Sequence, residues 1–270
     1  MTAPELFPPG ARVAFLHAHP DDETLATGVL VAGLIASGHP VAVVTATRGE
    51  RGEIRPGVDV GADIVAHRER ELTAALAALG VTEHCFLGTP PALADGTVRT
   101  SSTARPGTDA VRYTDSGMRW VTPELAGPAV DAGPDSLTAA GIDGPAADLV
   151  AFLQDFGADA LVSYDVLGGY GHPDHVACHH IAAAAAAASG VPLVDVVSDP
   201  LLPADDAVAW RAPGQLPAVR RALGCYASQL QVDGEEVVHV GGQRQPIAEV
   251  VWLRPAGPAR RRPEGPDPGQ

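Results

Sequence analysis

Two short segments concentrate the side chains that can do chemistry. The first is His17-Ala18-His19-Pro20-Asp21-Asp22-Glu23. Three consecutive acids repel a phosphate and favour a cation. His19 and Asp22 stand at a His-x-x-Asp spacing, which lets an imidazole and a carboxylate converge on one metal from a tight turn. Zn²⁺, of borderline softness, accepts that nitrogen–oxygen mixture. The competing reading is that Asp21, Asp22 and Glu23 only cap a helix, because acids in a first turn complement its dipole. The second segment runs from Tyr164 to His175 (YDVLGGYGHPDH). Glycines at 168, 169 and 171 allow a tightly folded loop. His172 and His175 are not both idle core residues in so polar a stretch, and one of them would complete a three-ligand site with His19 and Asp22. A fourth position left to water is the arrangement of a catalytic zinc. His179 is four residues beyond His175 but a helical turn deeper, and is expected to be structural. His17, His39, His67, His84 and His239 carry no functional expectation.

Strands and helices alternate around these segments. Arg12–His17 reads as a buried parallel strand, Thr24–Ser37 as a helix stopped by Gly38, and Pro40–Thr47 as a second strand. A helix over Ala62–Leu79, a strand over His84–Leu87, a helix over Ala147–Phe156 and a strand over Ala160–Tyr164 follow. Asp174–Ser189 is expected as a helix, and Val191–Val197 and Glu249–Leu253 as further strands. This order implies right-handed crossovers and an α/β, Rossmann-like three-layer sandwich with a mostly parallel sheet. Both chemical segments then follow strands and open helices at one edge of the sheet, where ligands of open α/β sheets bind. Residues 1–254 read as one domain, 88–146 as a loop-rich insertion forming a substrate wall, and 255–270 as a disordered tail.

Composition narrows the function. The chain has 270 residues, 46% hydrophobic and 19% charged, which is ample for one globular domain. All 18 basic residues are Arg, so Schiff-base and P-loop lysines are excluded. A net charge of −15 argues against nucleic acid as a partner. Three widely spaced cysteines form neither a disulfide framework nor a CxxC metal site. No run approaches the ~18 apolar residues of a membrane span. The first ten residues carry prolines, an acid and no basic residue, so a secretory leader is not expected and the cytoplasm is.

His-Pro-Asp-Asp-Glu after the first strand, with His-Pro-Asp-His far downstream, resembles the LmbE/PIG-L family of zinc-dependent deacetylases. Gly169–His175, Arg68 with Glu71–Leu76, and Asp115-Ser116-Gly117-Met118 carry the resemblance further. It spans about residues 12 to 190, with weaker echoes near Leu223–Leu230. It implies His19, Asp22 and His175 as zinc ligands and Asp21 as the general base acting on zinc-bound water. It implies His172, tuned by Asp174, as the oxyanion stabiliser, with Tyr170 assisting from the glycine loop. Arg68 and Asp115 would contact sugar or inositol hydroxyls. Fe²⁺ or Co²⁺ could occupy the same ligands. The implied reaction is hydrolysis of the acetamide of an N-acetyl amino-sugar glycoside, foremost N-acetylglucosaminyl-inositol of mycothiol biosynthesis. A mycothiol S-conjugate amidase, a secondary-metabolite sugar deacetylase and a non-catalytic sugar binder are the alternatives. Gly52–Asp63 and Ala92–Val111 depart from the pattern of the inositol-sugar enzymes.

Overall fold

The computed structural model describes residues 3–94, 113–198 and 206–256. A short turn α1 (Ala3–Leu6) precedes β1 (Val13–His17), α2 (Asp22–Ala36), β2 (Val41–Thr45), α3 (Ile64–Leu79) and β3 (Glu83–Phe86). A hairpin of β4 (Met118–Trp120) and β5 (Ala126–Pro128) follows, then α4 (Asp143–Phe156), β6 (Ala160–Tyr164), a single turn α5 (Gly168–Gly171), α6 (Pro173–Ser189) and β7 (Leu193–Val196). The chain closes with β8 (Val208–Arg211), α7 (Leu216–Leu223), β9 (Leu230–Asp233), β10 (Glu236–His239), β11 (Arg244–Pro246) and β12 (Val250–Pro255).

Seven strands form the central sheet in the order β3-β2-β1-β6-β7-β12-β8. β3, β2, β1, β6 and β7 run parallel, and β12 is antiparallel to both its neighbours. Every residue of β1, β2 and β6 is buried. That is why these strands read as unbroken apolar runs: both faces carry helices. Val13 and Phe15 of β1 join the core under α2, α3 and α7, while Ala14 and Leu16 join the opposite core under α4 and α6. The expected three-layer sandwich is the observed architecture. Helix ends follow local chemistry: Asp63 caps α3 by accepting from the Ala66 N–H at 3.1 Å, and Gly80 ends it at φ 89°.

Where it is described, the 88–146 segment is more ordered than its composition suggests; residues 95–112 lie outside the described residues. Besides the β4–β5 hairpin it pairs Thr114 with Ser136. Asp148 of α4, fully buried, accepts from the Ala94 N–H at 2.9 Å and from the Tyr113 hydroxyl at 2.6 Å, tying two points of the segment to the core. The last strand extends through Pro255, one residue into the expected tail; residues 257–270 lie outside the described residues. No helix among the described residues is long and apolar enough to cross a membrane.

Candidate metal centre

The sheet order reverses between β1 and β6. From β1 the chain proceeds outward through β2 to β3, and then returns to lay β6 on the other side of β1. The crevice beyond the carboxyl ends of these two strands is the topological switch point. β1 delivers His19 to Glu23 into it, and β6 delivers Gly168 to His175.

Asp22 stands at the centre. Its Oδ2 lies 3.1 Å from His19 Nδ1 and 3.2 Å from His175 Nε2. Tetrahedral zinc with bonds of about 2.0–2.1 Å places its ligands about 3.3 Å apart, so each of these two pairs is spaced as two ligands of one cation would be. Nitrogens of His19, His172 and His175 also lie within 4.8 Å of one another. The His175 ring is oriented for ligation. Its Nδ1 is hydrogen-bonded to the Gly168 carbonyl at 3.2 Å, which fixes the tautomer and leaves Nε2 buried with no hydrogen-bond partner. Burial works against charge on His19, but Asp115, Asp174 and Asp22 outweigh it and raise its pKa well above 6.5. A field that holds a proton there also favours a metal cation. Burial likewise opposes ionisation of Asp22, yet His175 and His19 bring its carboxyl well below the usual range.

Asp21 faces elsewhere. It is the only non-glycine among the described residues with positive φ, at φ 103° and ψ −32°, a conformation costing about 1–3 kcal/mol. That kink lets two adjacent carboxylates point apart. The Asp21 carboxylate accepts from Arg68 Nη2 at 3.2 Å. Burial pushes its pKa up, with Asp22 and Glu23 adding to the rise and Arg68 opposing it, to about 8. Glu23, fully buried, turns back: its Oε2 accepts from the Asp21 N–H at 3.1 Å. The acids therefore do more than cap α2, and no side chain caps that helix at Asp21.

Arg68 is 3% exposed, and its guanidinium also donates to the carbonyls of Gly49 (2.6 Å) and Pro20 (2.7 Å). Its contacts are thus with the protein's own turn. Asp115 accepts from the Arg51 and Gly117 N–H groups, and its Oδ1 lies 3.7 Å from His19 Nε2. The Asp174 carboxylate meets His19 Nε2 at 3.2 Å and accepts from the Ser116 N–H at 2.9 Å. It is the Asp174 main-chain N–H that reaches His172 Nδ1, at 3.2 Å. Accepting there leaves His172 Nε2 as the protonated nitrogen. Burial, with His19 and His175 nearby, depresses the His172 pKa to about 2, which keeps this ring neutral. Tyr170, 41% exposed, stands at the mouth with its ring 5.3 Å from His175. His179 bonds the Tyr164 carbonyl at 2.9 Å and lies outside this cluster.

Beside these residues opens a cavity of about 430 Å³. Asp21, Asp22, Tyr170 and His175 line one side; Leu25, Val196, Val251 and Trp252 form an apolar wall, with His239 and Gln245 also lining it. Trp120 of the hairpin packs its ring 5.6 Å from Tyr170. Sequence reasoning did not single out Trp120, Glu23's inward role or its partner Tyr226, because only the folded chain brings these distant residues together.

The sequence profile of the GlcNAc-PI de-N-acetylase (PIG-L) family matches residues 14–186. A 1D-myo-inositol 2-acetamido-2-deoxy-alpha-D-glucopyranoside deacetylase of Kineococcus radiotolerans is 34% identical over 260 residues, 90% of this chain and 67% of that protein. Against other relatives of that name the chain spans as little as 51% of their length. Two solved structures share the fold. A deacetylase–teicoplanin complex superposes with TM-score 0.54 at 21% identity, covering 91% of this chain and 98% of the other. A 4-carboxy-2-hydroxymuconate hydratase of Pseudomonas putida reaches the same TM-score at 15% identity, covering 93% and 98%. One fold thus carries two chemistries, and the likeness that separates them is in the sequence. With the matched span running from β1 through most of α6, and so enclosing both arms of the crevice, the chain belongs to the PIG-L family of GlcNAc-PI de-N-acetylases.

Proposed function

We propose that this chain is a metal-dependent hydrolase that releases acetate from an N-acetylated amino sugar, with N-acetylglucosaminyl-inositol as its substrate. The observation that carries the reading is the Asp22 carboxylate shared at 3.1 and 3.2 Å by His19 and His175, with the separately held Asp21 beside it. His19, Asp22 and His175 would hold the metal. When bound there, zinc supplies Lewis-acid polarisation of an amide carbonyl and lowers the pKa of water to about 7.

The chain's own residues supply the rest. Asp21 takes a proton from the attacking water and returns it to the departing amine, the two halves of general base and acid work. His172 donates its Nε2–H toward the developing oxyanion, a contribution of about 3 kcal/mol for a well-placed donor. The Asp174 main chain keeps that tautomer, and its carboxylate braces His19. Tyr170 closes the mouth over the substrate. Arg68 acts through Asp21, and Asp115 would contact a sugar hydroxyl. The apolar cavity wall favours a second reading, an N-acetylated sugar carried on a larger apolar scaffold.

The test is primary-amine release from N-acetylglucosaminyl-inositol, with and without chelator. We expect chelator-sensitive turnover of this glycoside over free N-acetylglucosamine and a mycothiol S-conjugate. Asp21→Ala should lose about 10²–10⁴-fold in kcat with metal content retained. His19→Ala and His175→Ala should each lower the metal-to-protein ratio; unchanged stoichiometry in both would overturn the ligand assignment.

A further inference from the structure

Tyr226 follows α7, outside the 14–186 span that matches the family profile. It is fully buried, and its hydroxyl donates to Glu23 Oε1 at 2.6 Å across 203 positions of sequence. The Thr24 hydroxyl donates to the same oxygen. The other oxygen, Oε2, accepts the Asp21 N–H. Glu23 is therefore a bridge: one end is fixed by the C-terminal part of the chain, and the other holds the main chain of the left-handed residue.

The Asp21 N–H sits at the start of α2, where a main-chain donor has no partner within the helix. Its acceptor must come from a side chain, and Glu23 provides it from two residues ahead. A phenylalanine at 226 would fill the same apolar space, so packing alone does not account for the hydroxyl. We propose that Tyr226 is a positioning residue: through Glu23 it holds the Asp21 main chain in its left-handed conformation, and so sets where the Asp21 carboxylate stands. The proposal rests on the reading of Asp21 as the general base. A displacement of about 1 Å at a reacting group costs on the order of 10²-fold in rate, which sets the scale of the effect.

Tyr226→Phe in the full chain is the test, with Asp21→Ala alongside. We expect kcat on N-acetylglucosaminyl-inositol to fall about 10- to 100-fold, with KM, metal-to-protein ratio and melting temperature close to the parent. In the metal-free protein, the Asp21 amide should exchange its hydrogen faster while the amides of β1 do not change. Glu23→Ala should reproduce the loss, and adding Tyr226→Phe to it should cost nothing more. A kcat within twofold of the parent, a loss that tracks lost metal, or unchanged Asp21 exchange would overturn the proposal. Should Asp21→Ala itself retain turnover, the base assignment falls, and the exchange measurement still decides whether Tyr226 positions Asp21.

Discussion

Asp21 and Asp22 are sequence neighbours with opposite electrostatic fates. Burial acts on both, but His175 and His19 hold Asp22 ionised, whereas the single Arg68 leaves Asp21 near the neutral range. That separation suits one residue to binding a cation and the other to moving a proton. The Arg68 guanidinium that steadies Asp21 fits only because position 49 lacks a side chain. A Cβ on Gly49 would lie 1.8 Å from Arg68 Nη1, on a backbone already at φ 64°. Gly49→Ala should therefore displace Arg68, cost about 2 kcal/mol or more in denaturant unfolding, and lower kcat while metal binding persists. An unchanged midpoint and rate would show that Arg68 has another resting place. At this scale the clustering of His19, Asp22 and His175 was legible, because residue types and spacing that suit one metal must converge. The direction in which Arg68 points was not, since nothing in Arg68 or Gly49 alone announces that one closes over the other.

The turn α5 and the β4–β5 hairpin work as a unit. Gly168, Gly169 and Gly171 all have positive φ, which aims Tyr170 outward and His175 inward. At Gly171 a Cβ would meet Leu125 Cδ1 at 2.7 Å and the Ala126 carbonyl oxygen at 3.1 Å, so the hairpin rests directly on the loop. We expect Gly171→Ala to push the hairpin and Tyr170 apart, lowering kcat/KM about tenfold or more with metal content intact. Equal kcat/KM would mean the two elements move independently. The buried strands β1, β2 and β6 were readable as continuous apolar runs. The hairpin and the β9–β11 sheet were not: their strands are three or four residues long and mix exposed with buried positions, leaving little periodicity to read. Helix α4 begins at Asp143, four residues before the expected start, because its opening Asp-Gly-Pro looks like a turn.

Across the whole molecule, histidines held neutral by the fold make it sensitive to acid. Burial, with Arg48 adding to it, lowers the His84 pKa to about 4, and burial lowers His17 to about 4 despite Asp22. The unfolded chain protonates near 6.5, before the folded one, so stability is whole above that value and falls as pH drops from 6.5 toward 4. His84 alone accounts for up to about 3 kcal/mol at 1.4 kcal/mol per unit. Urea midpoints measured across this window should decline with pH, and His84→Gln should flatten the decline; a parallel curve would assign it to other groups. The sheet order itself also says when the site comes into being. Asp22 and His175 are 153 positions apart, and they meet because β6 pairs with β1 on the side opposite β2. Such long-range pairing is slow to form. A chain paused with β1, β2 and β3 paired holds two of the three proposed ligands, His19 and Asp22, and lacks His175. With these three as ligands, metal capture during refolding would be a clock that strikes when the two halves of the sheet join.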